Sequence, residues 1–164
     1  MITYKQYCSL IICLAADYDL TGQLVWPGAT LMNNYLSKNL DMLQGCSIIE
    51  LGSGIGVTGI LCSRFSSEVV LTDHNEEVLK ASSKVPISFQ QCSIRPLFNT
   101  VDQLLRIRGK NNCKFILAYV SRAKMMDTIV TTEAIQHGMK VEEIPGTRSV
   151  VGNGEGVIFE ITLR

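Results

Sequence analysis

An excess of charge of either sign is what this chain lacks. Fifteen Lys and Arg balance fifteen Asp and Glu, so the formal net charge at pH 7 is zero. No basic face or tail stands ready for nucleic acid, and none is expected as a partner. Histidine is scarce, at two. The six cysteines (Cys8, Cys13, Cys46, Cys62, Cys92, Cys113) are scattered, with no Cys-x-x-Cys pair. That spacing argues against zinc. Most lie in apolar runs and read as small core residues. Free thiols imply a reducing compartment, so the expected location is the cytoplasm, with the nucleus as the other choice. Long apolar runs are missing too. Residues 8–16 fall short of the ~20 that a membrane span needs. Asp17 and Asp19 follow that run without a small-residue cleavage site, so it reads as a buried strand rather than a signal peptide. No internal repeat, low-complexity tract or linker interrupts the chain.

What remains is an ordinary globular composition. Of 164 residues, 46% are hydrophobic and 18% charged, which predicts one domain over residues 1–164. Residues 7–16 form a candidate strand, and Gly22 turns the chain. Val25-Trp26-Pro27-Gly28 leads into a helix over 29–43, with Leu31, Met32, Tyr35, Leu36, Leu40 and Leu43 on its apolar face. Gly45 stops it. Residues 47–51 read as a short strand, apolar at Ile48, Ile49 and Leu51, as expected where helices cover both faces. A helix follows at 57–65, a strand at 69–72 and a helix at 73–83, whose Asp73 and Glu76 have capping-box spacing. Further helices are read at 96–108 and 124–137, and further strands at 115–120, 141–144 and 157–163. A Gly- and Asn-rich loop at 152–156 precedes the last strand. This alternation predicts an α/β fold with a parallel, Rossmann-like sheet. The final strand, having no helix before it, should run antiparallel.

The informative stretch is residues 48–59, Ile-Ile-Glu-Leu-Gly-Ser-Gly-Ile-Gly-Val-Thr-Gly. Between a strand and a helix, glycines let backbone approach a ligand without Cβ atoms in the way, and the helix start supplies free N–H groups. Gly54, Gly56 and Gly59 satisfy the dinucleotide pattern G-x-G-x-x-G, with Asp73 about where a ribose acid belongs, so a nicotinamide cofactor stays open on spacing alone. Glu50 tilts the reading. A carboxylate at the strand end would repel pyrophosphate but suits the sulfonium and amino group of S-adenosylmethionine. Asp73 also reads as a helix cap, and Glu50 as a solvated strand-end acid. His74 and Asn75 are either adenine-side residues or exposed first-turn positions.

The order acid-x-Gly-x-Gly-x-Gly resembles motif I of the class I, seven-stranded methyltransferases. Three further stretches resemble the family 16 protein methyltransferases: Val25-Trp26-Pro27-Gly28-Ala29, Leu71-Thr72-Asp73 and Ala118-Tyr119-Val120-Ser121-Arg122. The resemblance implies S-adenosylmethionine as cofactor and a protein bearing a target lysine as partner. It implies that Trp26 packs against the donor. Glu50, Gly52, Ser53, Gly54 and Gly56 would hold the methionine part, Asp73 the ribose, and His74 and Asn75 the adenine side. Tyr119 and Arg122 would border the acceptor pocket. Without the resemblance, Trp26 and Tyr119 read as packing aromatics and Arg122 as a solvated charge.

The same resemblance exposes a gap. Such sheets run in the order 3-2-1-4-5-7-6, and residues 81–93 leave no room for a third and fourth strand with their connections. Only 85–89 could be a strand remnant, weakened by Pro86. The family's Asp-x-x-aromatic motif at the end of the fourth strand has no counterpart. An internal deletion at 81–93 is therefore expected, between a front part (an N-terminal strand and entry helix at 1–44, the cofactor loop half at 45–80) and a C-terminal half at 94–164. Two rows of unpaired backbone groups, each costing about 1–3 kcal/mol, would be prohibitive. The expectation is thus that the first and fifth strands pair directly. That would displace the active site by one strand spacing, ~4.8 Å, where transfer needs atoms within ~3–3.5 Å. Weak or absent catalysis is expected, the alternative function being a non-catalytic variant that only binds donor or partner.

Overall fold

Parallel strands covered on both faces must be apolar at nearly every position, and the central strands obey this. The computed structural model describes residues 9–15, 25–73, 94–108, 113–121 and 124–164. Its strands are β1 (Ser9–Ala15), β2 (Ser47–Leu51), β3 (Glu68–Thr72), β4 (Cys113–Ser121), β5 (Met139–Glu143), β6 (Ser149–Val151) and β7 (Gly154–Leu163). Its helices are α1 (Pro27–Lys38), α2 (Val57–Cys62), α3 (Ile94–Arg108) and α4 (Lys124–Gln136). The strands form one sheet in the order β3-β2-β1-β4-β7-β5, with β6 added to β7. Neighbours from β3 to β4 are parallel. As expected, β7 runs antiparallel to β4, and β5 and β6 pair with it antiparallel.

The expected direct pairing of the first and fifth strands is overturned. These are β2 and β4, and β1 lies between them. Ile12 is in register with Glu50 on one side and with Ile116 on the other. The N-terminal strand thus stands where the family order puts its fourth strand. The physical reason is backbone satisfaction: a central gap leaves two facing rows of donors and acceptors, and any apolar strand of the right direction fills it. Ser-Leu-Ile-Ile-Cys-Leu-Ala is such a strand. The expected displacement of the active site by one spacing falls with it.

Two apolar layers sandwich the sheet. On one face Leu10, Ile12, Ile48, Ile116, Ala118 and Ile158 pack against Leu31, Met32 and Leu36 of α1 and Cys62 of α2. On the other, Phe115, Leu117, Tyr119, Val157 and Ile161 meet Phe98, Val101 and Leu105 of α3 and Val130 and Ala134 of α4. Phe98 and Phe115 meet edge to face, ring centroids 6.2 Å apart.

Several boundaries move for local reasons. The first helix ends at Lys38 rather than 43 because Asn39 leaves helical geometry and its Nδ2 donates to the Tyr35 carbonyl at 2.8 Å; Leu40–Leu43 follow as a 3-10 turn. The helix after the glycines ends at Cys62 rather than 65. The stretch 152–156, expected as a loop, is a hairpin instead. Gly152, at φ +60°, and Asn153 make a two-residue turn, and Gly154, Glu155 and Gly156 pair with β6. Asp73, the first residue of the helix expected at 73–83, itself forms a bridge at the end of β3. Gly22, the remainder of the 73–83 helix, the 85–89 remnant and the expected junction at 81–93 lie outside the described residues.

Candidate functional site

All parallel strands point their carboxyl ends to one edge of the sheet, and the glycine loop sits there, between β2 and α2. Three glycines adopt the left-handed region that other residues avoid: Gly52 at φ +70°, Gly54 at +50° and Gly56 at +75°. Backbone bonds fix the loop. Ser53 N–H donates to the Thr72 carbonyl at 2.8 Å, and Gly56 N–H to the Ser53 carbonyl at 2.8 Å. Two carboxylates tie it from opposite sides. Gly54 N–H donates to Asp73 Oδ2 at 2.7 Å, and Gly59 N–H to Glu50 Oε2 at 2.8 Å. Thr72 Oγ1 donates to the Glu50 carbonyl at 2.9 Å, so β2, β3 and the loop are cross-linked at one point.

Glu50 is fully buried, on the α1/α2 side of β2, and so lies beneath the loop rather than on its open surface. Burial pushes its carboxyl up to about 7; the Gly59 N–H and the Thr58 hydroxyl pull it down, and nearby Asp73 pushes it up again. An acid poised near neutrality under a ligand loop is easily biased by a bound cation. Asp73 is buried and serves the loop directly.

The sequence reading brought Glu50, Gly52, Ser53, Gly54, Gly56 and Asp73 to one place, and the structure holds them together. Trp26 stands at the start of α1, partly exposed. The neighbouring Pro27 lies beside the β6–β7 hairpin: its Cγ is 3.7 Å from where a Cβ on Gly152 would stand. Tyr119 is buried in β4 in register with Ala15 and Val157. Two strand spacings, roughly 10 Å, separate β4 from the glycine strand. His74, Asn75 and Arg122 lie outside the described residues. The sequence reading gave Gly59 no role of its own, but a Cβ there would overlap Leu71 Cδ2 and lie 2.9 Å from Glu50 Oε2. The third glycine of the G-x-G-x-x-G pattern, which serves close helix–strand packing, was the available signal.

A Rossmann-like sheet with a glycine loop at the carboxyl end of its first family strand, anchored by a strand-end acid, defines a class I methyltransferase. Residues 10–95 match the family described as lysine methyltransferase, and the chain belongs to it. Methyltransferase-like protein 22 of Mus musculus is 33% identical over 66 residues, 40% of this chain and 17% of that protein. The protein N-terminal and lysine N-methyltransferase EFM7 of Cryptococcus neoformans is 35% identical over 72 residues, 43% of this chain and 24% of that one. The chain thus matches about a quarter or less of the length of these curated relatives. In fold it is similar to a ribosomal protein L11 methylase from Lactobacillus delbrueckii, with TM-score 0.56 and 13% identity over 95% of this chain and 94% of that one.

Family membership makes S-adenosylmethionine the methyl donor, and the loop fits such a group. A side chain at Gly52 would meet no described atom within 4 Å, so the cradle is open there. The buried Ser53 Oγ has no hydrogen-bond partner among the described residues. The acid beneath matches a cationic ligand and opposes a diphosphate. No helix among the described residues is long and apolar enough to cross a membrane.

Proposed function

We propose that this chain transfers a methyl group from S-adenosylmethionine to the side-chain amine of a lysine in a protein substrate. The observation that carries the proposal is the glycine cradle pinned by Glu50 and Asp73 at the carboxyl edge of four adjacent parallel strands. When bound, the donor would offer an electrophilic methyl on its sulfonium, which the neutral amine's lone pair would take, with a thioether as the leaving group and the amine's proton lost to solvent. The chain's own part is to position. Gly52, Ser53, Gly54 and Gly56 shape the methionine side, Asp73 anchors the ribose side, Trp26 covers the donor, and His74 and Asn75 flank the adenine. Glu50 acts through the loop as a positioning residue and biases the site toward a cation. Tyr119 and Arg122 border the acceptor side.

Because β1 fills the central position, the cradle and β4 keep the lateral spacing of a complete sheet, which supports turnover. One feature favours a slower enzyme or a donor-binding remnant: the sequence carries no Asp-x-x-aromatic motif to face the acceptor amine. Incubating the chain with methyl-labelled donor and a cell lysate tests the proposal. A labelled protein band, with label recovered on lysine, is the expected result. Saturable donor binding with no labelled band would select the non-catalytic reading, and absence of donor binding would overturn both.

A further inference from the structure

Glu50 has two carboxyl oxygens, and only one of them has a partner among the described residues. Oε2 accepts from Gly59 N–H at 2.8 Å. Oε1 is buried and unpartnered there. A carboxyl that changes charge out of reach of water needs a neighbour that suits both of its forms. The ionised form only accepts hydrogen bonds, whereas the neutral form also donates one.

The inner face of α2 offers such a neighbour. Thr58, Gly59 and Cys62 are the buried residues of this helix, whereas Ile60 faces solvent. Gly59 brings α2 so close that a Cβ would stand 2.9 Å from Glu50 Oε2. Thr58, the residue before it, is fully buried, and its Oγ1 also has no hydrogen-bond partner among the described residues. The hydroxyl is near enough to the carboxyl to favour its charged form. Two buried, unpartnered oxygens thus lie on either side of the contact between α2 and β2, and a small turn of the hydroxyl or the carboxyl joins them. The other groups around Glu50 do not suit both forms. Asp73, at the end of β3, repels the charge, and the Cys62 thiol, one turn along α2, is a weak donor held protonated by burial. On α1, Tyr35 lies toward Glu160 and Lys114 instead, and Lys38 is exposed.

Resting on the methyltransferase reading above, we propose that Thr58 is a positioning residue for the acid beneath the cradle, serving Glu50 in both protonation states. With the carboxyl neutral, Oε1–H donates to Thr58 Oγ1. When a cationic donor enters the cradle and the proton leaves to solvent, the hydroxyl turns and donates to Oε1. Gly59 N–H stays on Oε2 throughout, so the loop keeps one shape while its charge changes. A valine would fill the same space and do neither.

The test uses the full chain with Thr58→Val, which keeps the shape and removes the hydroxyl, and Thr58→Ser, which keeps the hydroxyl. Carbon-13 NMR follows the Glu50 carboxyl through its titration without donor, and the signal is assigned by its loss in Glu50→Gln. The unsubstituted chain should titrate at about 7. Thr58→Val, lacking a hydrogen bond to the charged form, should titrate about one pH unit higher, and Thr58→Ser should return to within roughly 0.3 unit of the unsubstituted chain. Calorimetry with S-adenosylmethionine near neutral pH reads the consequence: Thr58→Val should bind about fivefold more weakly and Thr58→Ser about equally. An unmoved midpoint in Thr58→Val, the mark of a merely structural side chain, or a Thr58→Ser midpoint that moves with it, would overturn this inference alone. Failure of the unsubstituted chain to bind donor would sink the reading on which it rests.

Discussion

Replacing Glu50 by Gln should make the protein more stable at alkaline pH and leave it nearly unchanged at acid pH. The carboxyl stands at about 7 in the folded chain against 4.5 for the free group, because burial disfavours its charge. Between those values the folded state holds a proton that the unfolded state has released. Stability from this group is therefore greatest below about pH 4.5 and falls as pH climbs to about 7, with a total loss of about 3 kcal/mol. Gln keeps the shape and leaves an amide oxygen to accept from Gly59 N–H, but it does not titrate. Urea unfolding followed by fluorescence of Trp26, the one tryptophan, gives stability at about pH 5 and about pH 8 for both proteins. Subtracting one pH difference from the other cancels every other titrating group. Part of the loss has already occurred at about pH 5, so a residual of about 2.5 kcal/mol in favour of Gln at the higher pH is the expected outcome. Parallel pH dependences would refute the placement of a buried, near-neutral acid under the loop.

Ile12→Ala, at a fully buried position of β1, should cost about 2–4 kcal/mol. Ile60→Ala, at a site 62% exposed on α2, should stay within about 0.5 kcal/mol, and equal melting shifts would remove β1 from the sheet centre. Gly59→Ala forces a Cβ against Leu71 and Glu50, so a loss of about 1–3 kcal/mol together with weaker donor binding is expected; thermal melts and calorimetry read the two effects, and a wild-type result would deny the close helix–strand approach. Cys62 is buried, with its thiol pushed up to about 12 by burial and by Glu50. Peptide mapping should find it unlabelled by maleimide in the native chain and labelled only in denaturant; rapid native labelling would contradict its burial.

Local signals carried most of the elements. The apolar run, glycines and helix around residue 50, and the strand and helix that follow Cys113, announce themselves within short windows. Position in the sheet did not. Residues 7–16 read as a strand, but nothing within them says that they pair with residues 47–51 and 113–119, because pairing is settled by which backbone rows would otherwise stay unsatisfied. The hairpin was missed for a different reason. Gly152-Asn153-Gly154 carries loop composition, and the turn signal outweighed the short apolar pair Val150-Val151 beside it. At the site, the residue types of the cradle were legible, and the facing of Glu50 was not. A strand-end acid can point at solvent, at a ligand or beneath its own loop. Gly59, which has no side chain to hold α2 away from β3, leaves the buried place beneath the loop that the carboxylate takes.

The central claim, that an acid beneath a glycine cradle receives a cationic methyl donor, is tested most directly by calorimetric titration of S-adenosylmethionine. The titration is run near pH 7 in two buffers of different ionisation heat, with NAD as the competitor. The account predicts saturable donor binding accompanied by proton release, loss of that release in Glu50→Gln, and no heat from NAD. Heat from NAD alone, or donor binding that moves no proton in the unsubstituted chain, would contradict it.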